Sequence, residues 1–343
     1  MQEYSTKRGN AYMCLSLMLG NMLVFGIYVV AGIFQGITGP PGPLDVLLHP
    51  VALVLVAQLC VAFIPFLAYL GYTNQRVRDV LPMRKVSPLN IFLITLITLT
   101  IMPLAMLVGA VTNVFFENNI IETVSGIAEM NLPLSILIIG IVPSIFEEIS
   151  LRGVVLSNYR HVDIRVAALA NGLFFGLMHL NPFQFFYAFL LGYIFSFFVF
   201  YTGSIFSAIY AHFIFNTTQL LLLRWALSFA QTADVVAEEP SMAVQVISMF
   251  IVAAIFTPVT VILFKSFKGI NRKRVLKEEL SMKKRARSLA ALEEDEHHIK
   301  DAARLREIET LRGPGPGERQ RVVTLGFVLT IIVYIILVLP IFL

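Results

Sequence analysis

An all-α, polytopic membrane protein is the fold class this sequence predicts, on three observations. Hydrophobic residues fill 57% of the 343 positions and charged residues only 14%, too few polar groups to cover a globular surface. Several apolar runs are long enough to cross a bilayer. Those runs are continuously rich in Leu, Ile, Phe and Val, whereas a transmembrane barrel would show segments of about ten residues with alternating polarity.

The runs place spans at roughly 11 to 37, 47 to 72, 89 to 115, 134 to 157, 166 to 181, 183 to 201, 203 to 224, 242 to 264 and 322 to 343, about nine helices. The first begins after a polar stretch and is too long for a cleavable signal, so it reads as a retained anchor. The second and third are apolar runs of spanning length. The fourth lies within Pro133 to Leu156 and carries Glu147, Glu148 and Arg152. The fifth is short and ends at Asn181-Pro182, a tight turn into the sixth. The seventh follows Gly203, and the eighth and ninth flank a charged stretch. Cys14 and Cys60 lie in or beside spans and are expected to be packing residues.

Basic residues alternate between the two sides these spans create. Lys7 and Arg8 precede the first span, and Arg76, Arg78, Arg84 and Lys85 follow the second. Arg160 and Arg165 follow the fourth, and a strongly basic segment follows the eighth. The intervening loops carry Glu117, Glu122 and Glu129, then Asp234, Glu238 and Glu239. Every Lys and Arg except Arg224 falls on one side, which the positive-inside rule makes cytosolic. The N-terminus is then cytosolic and the C-terminus outside, in a multi-pass protein of the cell membrane.

Five regions follow. Residues 1–133 form an N-terminal three-helix membrane region, 134–224 a helical core, 225–264 the eighth span with its outer loop, 265–321 a charged cytosolic helical segment, and 322–343 the last span. The charged segment mixes basic runs (Arg272 to Arg274, Lys283 to Arg287) with the acidic run Glu293 to Glu296, and reads as a helical hairpin or rod. Leu289, Leu292, Ile299, Ala302, Leu305 and Ile308 give it a partial amphipathic stripe, and Gly313 to Gly317 breaks it. Its basic end could bind anionic lipid headgroups, but the preferred reading is a solvated juxtamembrane helix that obeys the positive-inside rule. His297 and His298 there are expected to be exposed side chains.

Ionisable residues inside a membrane are costly, at least about 2.5 kcal/mol each on insertion scales, so they mark function by default. The polar set comprises Glu147, Glu148 and Arg152 in the fourth span, Asn171 and His179 in the fifth, and His212 and Asn216 in the seventh. Glu148 and Arg152 are four apart, the order that favours an ion pair on one helix face. His212 and Asn216 are also four apart and share a face. At 1.5 Å per residue, Glu147 and His212 lie at similar depths, roughly 15 Å and roughly 14 Å from the cytosolic end, with His179 at roughly 20 Å.

A carboxylate and an imidazole sharing one water can take its proton, while a second imidazole and an amide NH2 can donate to the oxyanion of a tetrahedral intermediate. No Ser or Cys nucleophile with a nearby base stands out, and no HExxH helix is present. His179, His212 and a carboxylate could alternatively hold zinc.

Glu147-Glu148-Ile-Ser-Leu-Arg152-Gly153 resembles the EExxxR motif, Phe175-Gly-Leu-Met-His179 the FxxxH motif, and His212-Phe-Ile-Phe-Asn216 the HxxxN motif of the CAAX protease and bacteriocin-processing (CPBP, or Abi) family of intramembrane proteases, which includes the Ras-converting enzyme. Gly203-Ser204-Ile205 before His212 adds to the likeness, which covers about residues 134 to 220. Leu151 stands where relatives often carry Phe. The resemblance implies a glutamate-type endopeptidase in which Glu147 and His179 activate water and His212 and Asn216 form the oxyanion hole, with Glu148 and Arg152 as a supporting pair. It implies no cofactor, with zinc a minority option. The expected partners are a peptide or lipidated protein substrate and membrane lipids, with no nucleic acid. The alternative is a non-proteolytic scaffold or regulator of a cell-wall enzyme, sensor kinase or peptide-export system, with a membrane or cell-wall protein as partner; a transporter or channel is the remaining option.

Overall fold

The computed structural model describes residues 5–40, 42, 44–116, 118, 120–232, 241–294 and 322–342. The His297-His298 pair, the Gly313 to Gly317 break, the loop acids Glu117, Asp234, Glu238 and Glu239, and the amphipathic stripe beyond Glu294 lie outside the described residues. The principal helices are α1 (Thr6–Thr38), α2 (Pro50–Thr73), α3 (Pro88–Asn113), α4 (Ile121–Glu129), α5 (Leu132–Asn158), α6 (Ile164–Met178), α7 (Pro182–Thr202), α8 (Phe206–Thr232), α9 (Met242–Glu294) and α10 (Leu325–Phe342). Among the described residues, seven helices are long and apolar enough to cross a membrane, while α6 and the apolar part of α10 are shorter. The fold is all-α, and its many exposed Leu, Ile, Phe and Val side chains match a lipid-facing exterior.

Each helix start near the site carries a local signal. The Ser87 hydroxyl accepts from Asn90 N ahead of Pro88, and Asn131 accepts from Leu134 N at 3.0 Å ahead of Pro133. Asp163 accepts from Arg165 N, and Asn181 accepts from Phe183 N at 2.9 Å. These caps meet backbone donors that have no partner within the helix. Gly203 closes α7 in the left-handed conformation, φ 67°, where a side chain would be strained.

Helix α9 lies along α3, α6 packs on α7, and α10 lies against α1. The α6/α7 contact is close enough that a Cβ on Gly192 would come within 2.8 Å of Gly172 Cα, so both glycines are required there. Asn90 and Asn271 exchange side-chain amide hydrogen bonds of 3.1 and 2.8 Å, tying α3 to α9. Asn10 of α1 donates to Val322 O and to Thr324 Oγ1, anchoring the start of α10.

The eighth span and the charged helical segment expected after it form one helix in the structure: α9 runs unbroken from Met242 to Glu294, 53 residues in all, because no Gly-Pro signal interrupts it and the Lys, Arg, Glu and Leu of its charged part are good helix formers. The loop after the third span contains α4, and Arg224, the one basic residue on the acidic side, donates to Ala128 and Met130 carbonyls at that helix's C-terminal end.

Helices α2 and α5 are not regular. Gln58–Phe63, Ile136–Ile141 and Ile149–Val155 wind as π-helix. The first two each precede a proline, Pro65 or Pro143, which has no N–H for the carbonyl four residues back. Those carbonyls belong to Val61 and Ile139. Ser16 of α1 donates to Val61 O, and Asn216 of α8 donates to Ile139 O at 3.0 Å. Neighbouring side chains likewise reach Ala62 O (Ser150, 3.0 Å) and Leu151 O (Asn171, 2.8 Å). An unmet backbone group in hydrocarbon costs several kcal/mol, so these side chains make the irregular windings tenable.

Candidate active site

The π-helical turns flank Glu147 and Glu148, and both carboxylates are buried at the centre of the bundle. Glu148 Oε1 accepts from Arg152 Nη1 at 2.9 Å and is 2.9 Å from His212 Nδ1. A carboxylate paired with arginine only accepts, so Nδ1 carries the proton and His212 Nε2 faces the other way. That nitrogen is 3.8 Å from Glu147 Oε2, beyond a direct hydrogen bond. Arg152 also donates from Nη2 to Gly192 O at 3.1 Å, and its guanidinium lies over the rings of Phe175 and Phe195 at 4.8 and 5.6 Å.

His179 closes α6 rather than lying inside it. Its Nδ1 is 2.8 Å from Phe175 O, a carbonyl that can only accept, so Nε2 carries the free lone pair. Leu180 follows with φ 47°, a left-handed non-glycine residue that turns the chain sharply just past the imidazole. The Phe175 ring stands against both imidazoles, with centroids 5.0 Å from His179 and 5.5 Å from His212. One buried aromatic side chain thus positions two histidines and an arginine.

Glu148, Arg152 and His212 come together through direct hydrogen bonds, Glu147 lies 3.8 Å from His212, and His179 joins them through Phe175. Asn216 is held by the Ile139 carbonyl with one of its two amide hydrogens, leaving the second to donate. Asn171, noted from its depth, braces Leu151 O and accepts from Ser196 at 3.2 Å.

Sequence reasoning missed Gln58. It lies inside the second apolar run, and its Nε2 donates to Glu147 Oε1 at 2.6 Å. A polar side chain in an apolar run was the available signal, the same one that singled out Glu147. Gln58 fixes one oxygen of this carboxylate, while the buried Glu147 Oε2 and Gln58 Oε1 have no hydrogen-bond partner. Among the described residues, no group of three or more His, Cys, Asp and Glu side chains is arranged to hold a metal ion. Cys14 and Cys60 are buried free thiols.

Residues 129–218 match the family model described as type II CAAX prenyl endopeptidase Rce1-like. Comparison with curated proteins and with solved structures gives no match. The matched quarter of the chain, approximately, contains all three motifs and every polar contact just described except that of Gln58. Over this segment the chain is similar to the type II CAAX prenyl endopeptidase Rce1-like family, in agreement with the resemblance its three motifs carry.

Proposed function

We propose that the protein is an intramembrane endopeptidase of glutamate type, which hydrolyses a membrane-associated or lipidated peptide near the cytosolic side. The observation that carries this reading is Glu147: one oxygen is fixed by Gln58, and the other is buried without a partner 3.8 Å from an imidazole nitrogen. Glu148 Oε2 is also without a partner, but the other Glu148 oxygen is held by Arg152 and His212, whereas the other Glu147 oxygen meets only the neutral amide of Gln58.

In this reading Glu147, assisted by the free Nε2 of His179, takes a proton from a water as its oxygen attacks the peptide carbonyl carbon. The oxyanion that forms accepts from the second Asn216 amide hydrogen, and His212 Nε2 joins it as a donor when a proton from solvent occupies that nitrogen, Nδ1 staying on Glu148. The C–N bond then breaks, the proton held by Glu147 passes to the leaving amine, and a carboxyl terminus remains. Glu148 holds the His212 ring through Nδ1, and Arg152 balances Glu148. No step requires a metal, and activity is expected to survive a chelator. Loss with a chelator and return with zinc would contradict this.

A second reading has one observation in its favour. His212, Asn216, His179 and Arg152 each make a bond that also supports the bundle, as a scaffold retaining the site for structure would require. Glu147→Ala and His179→Ala separate the two. Each is expected to abolish processing, by about 100-fold or more, with membrane abundance and partner co-purification unchanged. Full biological activity in both variants would rule out the protease.

A further inference from the structure

Beside the polar cluster, with Arg152 as the shared wall, a cavity of about 630 Å3 opens where several helices end together. Its lining comes from the segment that joins α2 to α3, the end of α5, the α7 C-terminus and the charged part of α9. Convergent helix ends mark a membrane–water boundary, because spanning helices stop where hydrocarbon stops. Five arginines line it, Arg78, Arg84, Arg152, Arg160 and Arg274, against the acids Asp79 and Glu278. That is an excess of three positive charges, and counting Glu148 beside Arg152 and Arg76 beside Asp79 leaves the excess unchanged.

The arginines have different duties. Arg274 is committed to Tyr201 and Phe200 carbonyls at the end of α7 and to Glu278. Arg152 forms part of the wall, with its other end in the Glu148–His212 cluster and its Nε without a hydrogen-bond partner. Arg160 spends Nε on Ser157 O at 2.9 Å. Arg84 is only loosely paired, 3.6 Å from Glu278, and its side chain is mostly exposed. The backbone beside Arg84 is fixed: Ser204 Oγ donates to Arg84 O, and Ile205 N donates to Pro82 O at 2.7 Å. Guanidinium groups held at several walls of one cavity suit a compact anion with several acceptor oxygens, since each guanidinium can donate two parallel hydrogen bonds.

We propose that this cavity binds a phosphate-bearing anion among the arginines that line it, with the loosely paired Arg84 as one of its donors. Two sources share that chemistry, the headgroup of an anionic lipid at the membrane surface and a free phosphate. The proposal is independent of proteolysis.

The test is native mass spectrometry of the full chain in a neutral detergent, with phosphatidic acid, phosphatidylcholine and inorganic phosphate as probes. One phosphatidic acid per chain is expected to be retained, with no comparable retention of phosphatidylcholine. R84Q/R160Q is expected to weaken retention by about tenfold or more, as loss of charge-assisted hydrogen bonds predicts. R84K/R160K, which keeps the charge and removes the paired donors, should fall between. A K265Q/K268Q control, altering two basic residues outside the lining, should bind as the wild type does. Millimolar phosphate that displaces the lipid and itself remains bound assigns the site to a free phosphate; lipid retained against phosphate assigns it to the membrane. Retention unchanged in R84Q/R160Q, or reduced equally in the lysine control, would overturn the proposal, since diffuse positive charge would then account for binding.

Discussion

Glu147 and Glu148 are adjacent in sequence, yet their surroundings differ in a way that assigns them different work. Glu148 accepts from a guanidinium and an imidazole on one oxygen, whereas Glu147 meets one neutral amide. Gln58 is therefore expected to act as a positioning residue. Gln58→Leu should lower kcat for processing by about tenfold with KM little changed, because losing this hydrogen bond alters the orientation of the carboxylate. Unchanged abundance with an unchanged kcat would assign Gln58 to packing alone. The motif residues were legible because charged groups in apolar runs are conspicuous. Gln58 was not, since an amide carries no charge, and its partner stands 89 positions away on a separate helix.

The irregular windings of α2 and α5 are the element-scale feature that shapes the site. A proline removes an N–H, the helix winds wider before it, and a polar side chain from another helix satisfies the released carbonyl. For Pro143 that side chain is Asn216, so the residue proposed for the oxyanion also braces the helix that carries the glutamates. A double-mutant cycle measures this link. Asn216→Leu alone should destabilise the protein in thermal unfolding, and its cost should shrink by about 1 kcal/mol when Pro143→Ala supplies an N–H for Ile139. Additive costs would show that the two positions are uncoupled. Both prolines and Asn216 were visible in the sequence, but which carbonyl each proline would release to which side chain depends on helix pairing, which the hydrophobic pattern does not encode.

At the scale of the whole molecule, the described residues place lipid-facing apolar side chains outside and charged groups near helix ends, along the α9 extension or in one paired cluster. Arg224, the exception to the charge alternation, serves a helix end. The proposed topology puts α4 outside the cell and the α9 extension inside. A membrane-impermeant maleimide applied to intact cells should label a Glu122→Cys variant and reach Ser281→Cys only after permeabilisation, with little background because Cys14 and Cys60 are buried. The reverse pattern would invert the topology. Fold class was readable from composition and run length alone, since both report the solvent directly. The arginine-lined cavity was not, because its walls come from segments up to about 200 residues apart in the chain.

The central claim is that a water activated by Glu147 cleaves a peptide in the membrane. Comparing the membrane peptidomes of cells carrying the wild-type protein and Glu147→Gln at equal abundance tests it most directly and finds the substrate at the same time. The account predicts at least one membrane-associated precursor that accumulates uncut in the variant, with its cleaved product present only in the wild type. Identical peptidomes from two equally abundant proteins would contradict it.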